Sequence, residues 1–527
     1  MNFETFYNAR KVPVLARNAV AASQPLAAQA GLRMLLAGGN AVDAAIAAAA
    51  VLTVVEPTGC GLGSDGFAIV WDGETLHGLN SSGRSPAAWS PERFAGMDRM
   101  PQIGWESVTV PGAVAAWAAL SERFGRLPFG DLLQPAIGYA RDGFALSPTI
   151  AQLWKSGHQK LGDQPGFAEN FAPDGRVPTA GEVVRNADQA RTLEALAASK
   201  GAALYTGVLA GQIADEAARH GAALTREDLA AHKPEWCGTL SMPFGDVALH
   251  EIPPNGQGIA ALMALGLLKH LPLAEHGPDS PQALHLQIEA IKLALADVEA
   301  HVSDPATMTT PPEALLDPAY LASRARLIDP ERAGDAAAGA PLAGGTVCLS
   351  AADESGMMIS FIQSNFAGFG SGVVVPGTGI HLQNRGAGFT LEKGHPNEVG
   401  GSKRPFHTII PGFVMRDGKP DMAFGLMGGP MQAQGHVQMV VRTALYGQNP
   451  QAASDAPRWR YISGRKLAVE WEMPAATVDA LASMGHEIMR EAPDNAFGFG
   501  GAQMIQRIDG AYVAGSDHRK DGQAVGY

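Results

Sequence analysis

Apolar residues recur through the first 330 positions at three- and four-residue spacing, in stretches closed off by glycine, proline and capping residues. Ser23 as N-cap, Pro25 in the first turn and the Gly38-Gly39 stop predict a helix over Leu26–Ala37. Asn40 then predicts the cap of a second, alanine-rich helix. The same signals predict helices over Ala190–Ala198, Gly207–His220 and Gly258–His270, and a longer one over Pro281–Val302 with Ser280 as cap. Phe67–Trp71 (FAIVW), set between glycine-rich and Asp-Gly turns, predicts a short strand.

The pattern changes near residue 346. From Pro330 to Gly345 (PERAGDAAAGAPLAGG) periodicity vanishes and small residues take over, which predicts a mobile surface linker. Val347–Ala352, a turn at Asp353-Glu354-Ser355-Gly356, and Met357–Gln363 then predict a β-hairpin. Further on, Gly428-Gly429-Pro430 followed by Met431–Tyr446 predicts a strand–turn–helix with Pro430 at the first helical position, leaving unpaired backbone N–H groups at the turn. The chain has 527 residues. That exceeds the roughly 250–300 at which single cores stop growing, so two domains or one large layered domain both fit. No internal repeat is evident.

Composition narrows the function. The chain is 46% hydrophobic and 17% charged, which is the make-up of a globular protein. A formal charge of -13 with no Lys/Arg run argues against a nucleic-acid partner, because phosphate binding needs a concentrated basic face. The most apolar stretch, Ala41–Val55, carries Asp43 and falls short of the roughly 20 apolar residues a membrane span needs. It reads as a buried helix, and no membrane partner is expected. Met1–Val20 lacks the basic start and apolar core of a secretory signal, so the expected compartment is the cytoplasm. Cys60, Cys237 and Cys348 are too few and too scattered for a disulfide framework or a CxxC metal site.

Several chemistries lack their sequence support. There is no G-x-x-x-x-G-K-[ST], no H-E-x-x-H and no G-x-S-x-G. Gly61, Gly63 and Gly66 form a G-x-G-x-x-G, but it follows a helical stretch and precedes a strand, the reverse of a dinucleotide site. A tightly packed turn is the simpler reading.

The informative block is Gly344-Gly345-Thr346-Val347-Cys348-Leu349-Ser350, with Ser364 and Phe369-Gly370-Ser371-Gly372 after it. This block resembles the start of the small subunit in γ-glutamyltranspeptidases, where a processing bond before Thr, a hairpin and an F-G-[ST]-G turn follow in that order. Further segments are similar to the family in the same order: Gly38-Gly39-Asn40-Ala41-Val42-Asp43, Val108-Thr109-Val110-Pro111-Gly112, Pro253-Pro254-Asn255-Gly256, Lys403-Arg404-Pro405, Gly428-Gly429 and Ala524-Val525-Gly526-Tyr527. The resemblance implies a four-layer αββα N-terminal-nucleophile fold. It implies cleavage of Gly345-Thr346 into a large chain (1–345) and a small chain (346–527) that share one core, with pairing into a higher oligomer left open. Thr346 is the implied nucleophile, and its freed α-amine, with an ordinary pKa of about 7.7–8, is the implied base. Gly428 and Gly429 are the implied oxyanion donors, and Ser364 the hydroxyl beside the nucleophile. No metal or organic cofactor is implied.

The resemblance also implies where substrate binding differs. Glutathione-cleaving members carry an Asp for the substrate α-amine where this chain has Gly388, and a Ser-Ser pair where it has His407-Thr408. Leu382-Gln383-Asn384-Arg385-Gly386 and Met427–His436 resemble instead the branch with oxamate amidohydrolase and acylase-like members. The implied substrate is a small amide that presents a carboxylate and no α-amine, with Arg84, Arg385, His407 and Thr408 as candidate binding residues. Two alternatives remain: a glutathione hydrolase/γ-glutamyltransferase, and an unprocessed binding protein of the same fold.

Overall fold

The computed structural model describes residues 11–335, 345–492 and 498–527. Two seven-stranded antiparallel sheets are stacked face to face. One has the strand order Val14–Ala16, Ala511–Ser516, Ala502–Ile508, Lys419–Leu426, Pro411–Arg416, Val247–Glu251, Leu240–Phe244. The other has the order Gln523–Gly526, Ala19–Ala22, Gly345–Ala352, Met358–Phe366, Asp65–Trp71, Leu76–Ser81, Glu235–Trp236. Both sheets combine strands from before and after residue 345, so neither part of the chain completes a sheet alone.

The period-two alternation of the central strand explains the layering. Val347, Leu349 and Ala351 join the core beneath the helices Pro25–Leu36, Ala41–Val55, Ala113–Phe124 and Phe129–Asp142. Cys348 and Ala352 point the other way, into a core between the sheets with Phe67, Ile362, Phe413, Met427 and Ile505. The outer face of the first sheet is covered by Gly258–Leu268, Pro281–His301 and Met431–Val440. The result is the four-layer αββα arrangement. Serine hydroxyls stitch the two sheets together: Ser360 Oγ donates to the Phe424 carbonyl at 2.7 Å and Ser350 Oγ to that of Gln503 at 3.3 Å.

Most predicted elements are present. Ala41–Val55 is buried along its whole length, as an evenly apolar helix must be, and Asn40 with Asp43 forms a capping box. Ser280 caps Pro281–His301 through the Ala283 N–H. The expected cap at Ser23 is not formed. Gln24 stands at that N-cap without a side-chain bond to the helix backbone, and the Ser23 hydroxyl instead donates to Glu56 Oε2 at 2.5 Å. The helix predicted over Met431–Tyr446 is α-helical to Val440 and continues as a π-helical turn, Val441–Leu445. Most of the predicted linker, residues 336–344, lies outside the described residues. No helix among the described residues is long and apolar enough to cross a membrane.

Candidate active site

Thr346 shares the face of Cys348 and Ala352, so its fully buried side chain enters the layer between the sheets. The ladder with Met358–Phe366 is irregular at this position. Gly345 pairs with Phe366 and Val347 with Gln363, so Thr346 alone faces both Ser364 and Asn365. Such a bulge re-aims side chains and is common beside active sites. Here it leaves Thr346 Oγ1 3.1 Å from Ser364 Oγ, which also accepts the Phe366 N–H at 2.8 Å. Phe366 itself sits at φ +76°, a conformation a bulky residue adopts only where its surroundings enforce it.

A closed circuit of contacts runs from this point. The Arg385 guanidinium lies 4.5 Å over the Phe366 ring. Its Nη1 donates to Thr408 Oγ1 at 2.8 Å. Gln257 Nε2 donates to the carbonyls of both Thr408, at 2.5 Å, and Gly429, at 2.9 Å. Gly429 in turn accepts the N–H of Gln432 at 3.0 Å, and Gln432 Nε2 reaches back to Thr346 Oγ1 at 3.5 Å.

Gly428 and Gly429 have φ of +116° and +59°, backbone that favours glycine. They turn the chain from the Lys419–Leu426 strand into the Met431–Val440 helix. Among the described residues no acceptor takes either amide hydrogen. Two unpaired N–H groups at a helix start form an anion-binding corner suited to an oxyanion.

Arg385 is completely buried, and its Nε and Nη2 have no hydrogen-bond partner among the described residues. Burial lowers its pKa to about 9, partly offset by the charge of Asp65. His407 bonds to Asp65 at 3.0 Å, from Nε2 to Oδ2, while its Nδ1 accepts the Ile409 N–H at 3.3 Å. Nε2 therefore carries the proton and donates it to the carboxylate. Burial, with Arg385 and Arg404 adding, pushes His407 well below its ordinary pKa, so the ring is neutral. Burial raises Asp65 to about 7, although Arg385 and the Gly83 N–H favour its charged form.

Asp65 was not among the residues expected here. It lies inside the glycine-rich turn, directly opposite Ser364 in the ladder, so Thr346, Ser364 and Asp65 occupy three adjacent strands. The glycines around it serve close packing: a Cβ at Gly61 would overlap the His381 ring. Gln432 was also missed.

The other expected binding residues divide. Arg385 and Thr408 belong to the circuit, and His407 adjoins it. Arg84 does not: it is half-exposed, donates to Asp304 Oδ2 at 2.8 Å and the Ser402 carbonyl at 3.1 Å, and lines a separate cavity of about 340 Å³ with His232 and Lys233. Thr408 opens onto a second cavity of about 370 Å³ whose wall includes Phe366, Phe389, Phe406 and Tyr461.

Known proteins bear on this geometry. The γ-glutamyltranspeptidase family model matches residues 27–527. The chain belongs to the γ-glutamyltranspeptidase family. It is 35% identical to a glutathione hydrolase-like proenzyme of Bacillus subtilis, over 95% of this chain and 97% of the relative. It is equally 35% identical, with the same shares covered, to the oxamate amidohydrolase proenzyme of Klebsiella pneumoniae. A cephalosporin acylase from Bacillus halodurans superposes with a TM-score of 0.96 at 44% identity, covering all of this chain and 99% of the other. The protein is therefore a γ-glutamyltranspeptidase-family hydrolase of the N-terminal-nucleophile class, an amidohydrolase or acylase of proenzyme type.

Proposed function

We propose that the chain cuts its own Gly345-Thr346 bond and then hydrolyses amides whose acyl part carries a carboxylate, through an acyl ester on Thr346. In this reading the Thr346 hydroxyl attacks the amide carbonyl and its proton passes to the Thr346 amine. The Gly428 and Gly429 N–H groups hold the oxyanion. The leaving amine takes the proton from the ammonium, and water then releases the acid. Ser364 orients Oγ1.

The observation that carries the substrate class is Arg385. A buried guanidinium with two unpaired nitrogens is costly unless an anion completes it, and its planar fork suits a carboxylate. It stacks on Phe366, the ladder partner of Gly345, so such an anion would lie beside the acyl carbon. A γ-glutamyl group would also need a counter-charge for its α-amine. At Gly388 a Cβ would lie 2.6 Å from the Phe406 carbonyl oxygen, leaving no room for an acidic side chain without backbone movement. Asp65 already accepts from Gly83 and His407, and its charge faces Arg385. The aromatic-walled cavity beside Thr408 is far larger than oxamate needs, which favours a bulkier amide, in keeping with the acylases among the relatives.

The test compares three substrates on the mature enzyme: glutaryl p-nitroanilide, γ-glutamyl p-nitroanilide and oxamate. We expect the first to be hydrolysed at least tenfold faster than the second, with Thr346→Ala remaining a single uncut chain inactive on all three. Faster turnover of the γ-glutamyl anilide, with transfer to an added dipeptide, would overturn the substrate class. An active Thr346→Ala chain would overturn the mechanism.

A further inference from the structure

Gln432 lies in the first turn of the Met431–Val440 helix and is completely buried. Its carboxamide orientation is fixed from one side: Oε1 accepts the Ile410 N–H at 2.9 Å. The amide nitrogen must then point the other way, and there it meets Thr346 Oγ1 at 3.5 Å. An amide nitrogen only donates, so the contact delivers an N–H to the nucleophile's own oxygen. At that length the bond is weak in the resting state. A weak resting bond that shortens as charge gathers on the acceptor favours the transition state over the ground state, which is what accelerates a step.

We propose that Gln432 is a catalytic donor to Thr346 Oγ1, assisting the step in which that oxygen leaves the acyl group. This rests on the acyl-threonine reading above. In deacylation a bond forms between the water oxygen and the acyl carbon, and the Oγ1–carbon bond breaks. The water proton goes to the Thr346 amine and from there to Oγ1. Until it arrives, negative charge builds on Oγ1, and the Gln432 N–H faces that charge. The Gly428 and Gly429 N–H groups serve the carbonyl oxygen, so the two sets of donors act on different atoms. The same donor would assist release of Gly345 from the ester formed during self-cleavage.

Gln432→Glu and Gln432→Met separate this role from packing. Glu, when ionised, keeps the length and the acceptor for Ile410 N–H but loses the donor. Met keeps only the length. Both are compared with the parent enzyme on glutaryl p-nitroanilide by steady-state kinetics, intact-mass analysis of the small chain during turnover, and thermal melting.

The expected result is kcat at least tenfold lower in each folded variant with KM within about threefold, and a small chain carrying a glutaryl adduct that the parent does not accumulate. Self-cleavage should slow in parallel. A folded variant whose kcat stays within threefold and that builds up no adduct would overturn the proposal. So would a failure of both variants to fold, which would make Gln432 a structural residue first. The Thr346→Ala control keeps the two readings apart: if it is inactive while Gln432→Glu is unimpaired, only the role of Gln432 falls.

Discussion

Arg385 sets function against stability in a single side chain. Replacing it with Met removes a buried, incompletely bonded charge, unfavourable in itself, and Asp65, already raised to about 7 by burial, takes up a proton once that counter-charge is gone. The same change removes charge-assisted hydrogen bonds to the substrate anion, worth about 1.5–3 kcal/mol. Arg385→Met should therefore raise KM for glutaryl p-nitroanilide at least tenfold while the melting temperature holds or rises, measured on the same preparation. A large fall in stability would mean that the guanidinium is a structural strut. The contact between the Thr346 and Ser364 hydroxyls was legible because their family motif is contiguous and ordered. Gln432 and Asp65 were not, because each acquires its meaning from a distant partner: Ile410 and Thr346 for one, His407 and Ser364 for the other. Arg84 shows the converse. Its motif placed it near substrate, but Asp304, 220 positions away, pairs with it on a separate cavity.

The strands that carry the site are held by close packing between sheets, and this too can be tested. A Cβ at Gly425 would overlap the Cys348 sulfur but would lie 3.8 Å from its Cβ. Gly425→Ala alone should cost about 1–3 kcal/mol of stability, as overpacking of a close-packed core does. Adding Cys348→Ala should restore most of it, and a double-mutant cycle by urea unfolding would show the coupling. Additive losses would refute the contact. Elements were read well where their signals are local: the Asn40 cap, Ser280 with Pro281, and the hairpin after residue 346. The Ser23 cap was misread because its hydroxyl goes to Glu56, 33 positions away. The π-helical turn at Val441–Leu445 has no sequence signal that we recognise.

At the scale of the whole molecule, interleaved strands bind the two prospective chains into one body. After cleavage they should migrate together on native size exclusion and separate only in denaturant, and residues 346–527 expressed alone should not fold; a soluble, cooperatively unfolding small chain would contradict this. Acid stability has a traceable contributor in His381, whose Nε2 donates to the carbonyls of Pro57 and Cys60, both at 3.1 Å. Burial lowers its pKa to about 4. The neutral ring thus contributes stability above the unfolded value of about 6.5, and this is lost as pH falls toward 4. In the uncut Thr346→Ala background, the stability advantage over His381→Gln should shrink by about 1.4 kcal/mol per pH unit across that window. A constant gap would rule out a neutral ring. The irregular ladder at Thr346 has one more consequence. Gly345 is fastened by a single rung, to Phe366, before the break in pairing. On the proposed self-cleavage, severing the Gly345-Thr346 bond would give up the Gly345–Phe366 rung, leave the register of Val347–Ala352 untouched, and free Phe366 for the acyl group of the proposed substrate.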